Sequence, residues 1–507
     1  MPSSSSHPLP PRRFGALARA AAAAALAALL ASCGGGGSKA GSSPFDIGLP
    51  DSDTLAQECA APRPGDKQGS LATEKAWLRS WIDETYLWYQ DVRGLPPATL
   101  DPANSATPLD YFAKLKSPAT TASGKDKDQF HFTYPTTEWI ALSQSGVSYG
   151  YGFQVALLDD TAPDRVAIVA YVEPGSPAAA NGIARGTEIL NVDGAAVADG
   201  TAATINAGLF PTGAGTHTFV VRDAGASATR SVTLTAQSLA STPVLKVATL
   251  PAPNQSVGYI LFNDHIATSE AQLVAAINTL KAAAVTDLVL DVRYNGGGYL
   301  DIAAELAYMI AGPANTNGKF FERVNYNNRD PFDQSLSERT TDFLNVSQGF
   351  SGPKGQTLPT LGLNRVFVLA SGDTCSASEA IINGLRGAGV AVNVVGSTTC
   401  GKPYGFFPQD NCGTTYFAIQ FQGVNFLGFG DYADGFAPTC TVADDFSHEL
   451  GDPAENQLEV ALGLRNTGAC TAPTGVKAGP LGIGRKVEAE AVLIRTPERE
   501  NRIYRPK

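Results

Sequence analysis

Cys375, Ser376 and Ser378 crowd the start of an apolar helical run in "GDTCSASEAIINGLRG", residues 372–387. Ser376 with Glu379 three positions on forms a capping box, which satisfies helix-terminal donors and needs no further purpose. The same placement suits a nucleophile, because free backbone N–H groups and the positive end of the helix dipole favour an anionic intermediate. A serine hydroxyl reacts only with a base beside it. Of the five histidines only His265 lies near the chemistry-bearing segments, whereas Lys402, in "TTCGKPYGFF" (398–407), follows Ser376 by 26 residues. Burial among Pro403, Tyr404, Phe406 and Phe407 would draw a lysine toward a pKa of roughly 7–8 and let it accept a proton.

Those residues need elements to hold them. From Val257 apolar strands alternate with helices: "VGYILFN", "DLVLDVRY", "NRVFVLAS" and "AVNVVGS" are strands, "SEAQLVAAINTLKAAA" and "LDIAAELAYMIAG" are helices. Such alternation predicts an α/β domain with a largely parallel sheet. Function gathers beyond the carboxyl ends of such strands, where "NGGG", "GDTCSAS" and "TTCGKPYG" all fall. Residues 146–237 instead alternate short strands with Gly/Asp/Pro turns, a small β-rich domain. Residues 57–140 read as a small helical domain, with Trp77, Leu78, Trp81 and Ile82 as a core stripe.

Two resemblances follow from these residues. "SYGYGFQV" (148–155) with "VEPGSPAAANGIARGTEILNVDGAAV" (172–197) resembles a PDZ domain, in which Gly150, Tyr151, Gly152 and Phe153 would cradle a terminal carboxylate on backbone N–H groups. "DVRYNGGG" (291–298), "SASE" (376–379) and "GK" (401–402), in that order, resemble the C-terminal processing peptidases, which are Ser–Lys proteases. "DGFAPTCTVADD" and "DPAENQLEVAL" are similar to that family's closing strand and final helix, so the likeness spans roughly residues 75 to 465.

The resemblance implies a crotonase/ClpP-like α/β protease core at 245–466, with Ser376 as nucleophile and Lys402 as general base. It implies an oxyanion hole from the backbone N–H groups of Ala377 and Gly297, no cofactor and no metal, and protein or peptide substrates with apolar C-termini. Many members carry a glutamine four residues after the lysine; here that position is Phe406, leaving Thr399 or Glu379 to orient the ammonium. A catalytically dead PDZ scaffold and a crotonase-like acyl-thioester enzyme are the competing readings. Export weighs against the second, since coenzyme A is cytoplasmic.

Charge and cysteines bear on location. Lys and Arg number 37 against 48 Asp and Glu, a net charge of -11, which disfavours nucleic-acid binding. "PPRRFGALARAAAAAALAALLASC" has a basic start and a short apolar stretch, a signal peptide whose end at residue 33 resembles a lipobox. Cys33 would then be acylated, 34–56 would be a tether, and the protein would sit in a bacterial envelope, facing the periplasm from the outer membrane. Six cysteines remain; an even number in an exported chain predicts disulfides, and Cys400–Cys412, bracketing a Gly/Pro segment, is the expected pair. No zinc spacing occurs. The tail, 467–507, carries no assignment.

Overall fold

A computed structural model describes residues 48–159, 161–211, 213–474, 492–493 and 502–503. The signal segment, Cys33 and most of the tether lie outside the described residues. No helix among the described residues is long and apolar enough to cross a membrane. The fold is mixed α/β, as expected.

The centre is a six-stranded sheet in the order Val244–Thr249, Val257–Phe262, Asp287–Asp291, Arg365–Ala370, Ala391–Gly396, Cys440–Thr441. The first pair is antiparallel and the rest run parallel. Strands covered on both faces must be apolar throughout, and Val257–Phe262 and Asp287–Asp291 are buried at every position. Parallel running brings four strand ends to one side, so 263–265, 292–298, 371–376 and 397–402 leave the sheet together. The convergence expected from sequence is present.

The second sheet takes Thr229–Thr235, Thr216–Arg222, Glu188–Val192, Val166–Val172 and Phe153–Asp159 in that spatial order, all antiparallel. One face encloses its own core of Tyr151, Val155, Val169, Ile189, Phe219 and Leu234. Ala156, Ile168, Ala170 and Tyr171 join the central apolar cluster with Val289, Phe367 and Leu458, so the two sheets share packing. Arg185, 5% exposed, fastens the seam by donating to Ala170 O, the Tyr294 hydroxyl and Asp444 Oδ1, each at 2.6 Å. Arg293, in the strand-end turn, bonds Asp291, Asp444 and Glu455. A guanidinium can be buried this fully only when carboxylates meet its fork.

The helical N-terminal segment is woven into the core. Trp77 and Trp81 of the Leu71–Thr85 helix stack at 5.3 Å and meet Tyr416. Strand Phe132–Pro135 pairs with Thr414–Phe417. The disulfides are Cys59–Cys412, Cys375–Cys400 and Cys440–Cys470, which corrects the expected Cys400–Cys412 pair. Cys412 is drawn to the helical segment by that strand pairing. Cys400 lies where two strand-end turns meet.

Glu305, fully buried on the Leu300–Thr316 helix, supports the 346–352 loop together with Glu270. Burial, reinforced by the neighbouring charge of Glu270, pushes the Glu305 carboxyl from 4.5 up to about 9. The folded state therefore holds a proton that the unfolded chain releases above its ordinary value, so this contribution to stability is full below about 4.5 and is lost as pH rises toward 9. Glu305→Gln, which cannot titrate, should gain stability relative to the parent by roughly 1 kcal/mol per pH unit across that window. Urea unfolding of both proteins at pH 6 and pH 8 measures it, and a constant difference between them would contradict the assignment.

Candidate active site

Ser376 begins the Ala377–Ala388 helix with φ 59° and ψ -112°, a left-handed conformation that a residue with a Cβ rarely adopts. Only half of the expected capping box forms. The Ser376 N–H donates to Glu379 Oε2 at 3.0 Å, whereas Ser376 Oγ, fully buried, has no hydrogen-bond partner among the described residues. A buried hydroxyl without a partner costs free energy. Its neighbours are satisfied: Ser378 Oγ donates to Asn295 O at 2.9 Å, and Cys375 N–H to the same oxygen at 3.0 Å. The strain and the unmet hydroxyl coincide on one residue.

Lys402 is fully buried as well. Its Nζ stands 4.6 Å from the Phe130 ring centre and 4.7 Å from that of Phe406. The aromatic residue in the glutamine's place thus supplies a ring face to the ammonium, an attraction of about 2 kcal/mol when desolvated. Phe130 comes from the helical segment, and no motif marks it. Gly401 has φ 90°, and a Cβ there would lie 2.2 Å from Ala433 O, so only glycine can precede the lysine in this turn.

Glu379 joins the two turns. Besides Ser376 N–H, its carboxylate accepts from Thr399 Oγ1 at 2.6 Å, Gly401 N–H at 2.9 Å and Lys402 N–H at 2.8 Å. Burial pushes its carboxyl above the ordinary value, and the four donors oppose that shift. Thr399 Oγ1 also accepts from Phe436 N–H at 2.7 Å. The threonine therefore orients Glu379, and both residues act on Lys402 through its backbone. The Cys375–Cys400 disulfide, with Cα atoms 5.2 Å apart, is a second tie between the same turns. Cys375, Glu379 and Cys400 place ligand-type atoms within 4.8 Å of one another, but both sulfurs are committed to the disulfide, which removes them as thiolate donors.

The glycine turn differs in detail from expectation. Gly297 N–H donates to Asn295 Oδ1 at 2.9 Å, so it is not turned toward an oxyanion. Gly296 N–H and Ala377 N–H have no hydrogen-bond partner among the described residues. Asn295, inside the quoted motif but assigned no task, organises the region. Its Oδ1 also meets His265 Nδ1 at 2.9 Å, and its Nδ2 donates to Phe262 O at 2.9 Å. Burial lowers His265 to about 3, so the imidazole is neutral.

The expected peptide-binding turn joins a two-stranded ladder, Val147–Gly150 with Gln237–Ala240, to the second sheet. Gly150 is in a strand opposite Gln237, and the buried Tyr151 ring donates its hydroxyl to Gly208 O at 2.9 Å. Tyr151 is thus a core residue whose backbone alone faces the turn. The N–H groups of Tyr151 and Gly152 have no partner among the described residues. Phe153 starts the edge strand.

The family model for peptidase family S41 matches residues 256–409, the stretch that carries all three turns. A carboxyl-terminal-processing protease of Picosynechococcus is 28% identical over 271 residues, covering 52% of this chain and 56% of that protein. A chloroplastic C-terminal processing peptidase of Tetradesmus obliquus is 31% identical over 177 residues, 33% of this chain and 38% of its own length. The matches thus span about half or less of those relatives. A solved structure of a Bacteroides fragilis protein assigned to the S41 proteases superposes with a TM-score of 0.59 at 24% identity, over 78% of this chain and 97% of that one, a likeness of fold.

Glu379→Gln turns an NH2 group toward backbone N–H donors. It should destabilise the protein by roughly 3 kcal/mol, lowering the melting temperature by several degrees. Thr399→Val should cost about 1 kcal/mol. Calorimetry of the oxidised proteins checks this order, and a Glu379→Gln variant as stable as the parent would refute the clasp.

Proposed function

The chain belongs to the C-terminal processing peptidases of family S41, and from that membership we propose that it is a serine endopeptidase with Ser376 as nucleophile and Lys402 as general base. The observation that carries the reading is Ser376 itself: a buried, left-handed serine with an unmet Oγ, tied by a carboxylate and a disulfide to the turn bearing Lys402. Lys402 Nζ takes the proton as Oγ attacks the peptide carbonyl. It then returns a proton to the leaving amine, and water cleaves the acyl-enzyme by the reverse path. Ala377 N–H and Gly296 N–H are the donors at hand for the oxyanion. Gly297 N–H joins them only when Asn295 releases it.

The 146–237 unit, on this reading, is a PDZ domain that captures apolar C-termini by strand addition, with the Tyr151 and Gly152 N–H groups receiving the carboxylate. Acylation of Cys33 would hold the enzyme at the periplasmic face of a bacterial outer membrane. The dead-scaffold alternative rests on Phe406, whose ring lies against Lys402 Nζ, and the cleavage assay below decides between the two.

A soluble form beginning after Cys33, incubated with an unfolded protein bearing an apolar C-terminus, tests the reading. Cleavage should fall at least 10³-fold in Ser376→Ala and in Lys402→Ala, following losses of this kind in other serine hydrolases. Phe406→Leu should lose about tenfold through the missing cation–π contact. A folded, oxidised parent that cuts nothing would overturn the proposal.

A further inference from the structure

The tail beyond the family match returns to the molecule at two places. Val492 and Leu493 add antiparallel to the outer edge of strand Phe153–Asp159, opposite Leu157 and Ala156. That strand leads directly from the Tyr151–Gly152 turn, and its edge is where strand addition would seat a peptide. Leu493 is 5% exposed and shares the apolar cluster of Ala156, Ile168 and Tyr171. Its N–H donates to Asp373 Oδ2 at 3.0 Å, in the turn that leads into Ser376. Nine residues on, Arg502 and Ile503 pair in parallel with Gly298 and Tyr299, at the end of the glycine turn. The same two residues lie against Tyr404–Gly405, just past Lys402.

The described parts of the tail thus lie at the peptide-binding edge beside the Ser376 turn, and between the glycine turn and the segment just past Lys402. Nine residues, extended, reach at most about 30 Å. Residues 485–507 carry seven basic against four acidic side chains in a protein of net charge -11, so attraction to the remainder favours docking.

We propose that Val492–Leu493 and Arg502–Ile503 occupy in cis two stations of this chain's own peptide track, the strand edge and the glycine turn beside the Ser376 turn, and hold the enzyme in a self-occupied state. The term track rests on the peptidase reading. The occupancy rests on the strand pairings. A substrate must displace the segment before its own carbonyl can approach Ser376.

The test uses the full chain after Cys33 with Ser376→Ala, so that cutting cannot intervene. It is compared with the same protein carrying Leu493→Asp, carrying Ile503→Pro, or ending at Thr474. Ile503→Pro disturbs the second pairing without touching the buried cluster, which guards against misfolding of the Leu493 variant. A labelled peptide of residues 488–507 should bind all three at least tenfold tighter than the full chain. Amide exchange should speed up at Gly298 in all three, while Tyr299, whose N–H donates to His265 O, serves as the internal control, and it should speed up at Ala156–Leu157 in the Leu493→Asp and shortened proteins. Equal peptide affinity across folded proteins, or unchanged exchange at both places, would overturn the proposal. With Ser376 restored, the released forms should cleave an unfolded substrate at least fivefold faster. Tail release without any cleavage would sink the peptidase reading and leave self-occupancy standing, while cleavage with unchanged peptide affinity would sink self-occupancy alone.

Discussion

The carboxylate of Glu379 is the interaction on which the site depends. A serine at φ 59° stores roughly 1–3 kcal/mol of backbone strain. Such a conformation persists only where the surroundings over-determine it. Glu379 fixes the Ser376 amide from the helix side, while Cys375 is held by Asn295 O and by its disulfide. The same carboxylate takes the amides of Gly401 and Lys402, so the strain at Ser376 and the placement of Lys402 share one support. Its burial carries a desolvation cost, and the four donors offset it.

Around that clasp the parallel sheet does the gathering. Four strands with register fixed by hydrophobic burial end on one side, and the turns need only small adjustments to meet. Gly298 shows how tight that meeting is: a Cβ there would sit 2.3 Å from His265 O. Arg293 and Arg185 secure the layer behind, joining the strand-end turn to the second sheet through Asp444. Movement of that sheet would therefore be felt at the turn carrying Asn295, two residues from Arg293.

What could be read beforehand divides by the range of the interaction. Strands, helices and the strand-end turns were legible because apolar periodicity and glycine placement are local. Ser376 and Lys402 stood out because ordered motifs follow those turns. Phe130 was not legible, since its ring reaches Lys402 only after the helical segment folds against the core. The disulfides failed for the same reason: chain proximity suggested Cys400–Cys412, while Cys59 lies 353 residues from its partner Cys412. The hydrogen bond from Gly297 to Asn295 turns on backbone torsions that a glycine run leaves open.

Complete burial of Ser376 and Lys402 has a consequence for how such a site would be used. Such burial strengthens every electrostatic contact made there and keeps water from Ser376 Oγ. It also means that a substrate reaches Oγ only after something moves. A tethered segment acts as a competitor present at an effective concentration of about millimolar, independent of dilution. A free peptide of equal intrinsic affinity would have to approach that concentration to displace it. An unfolded protein that engages both the strand edge and the glycine turn gains the same advantage once one contact forms, because its second contact is also intramolecular. Selection for long, two-point substrates over short peptides would then follow from competition alone, without any added side-chain specificity.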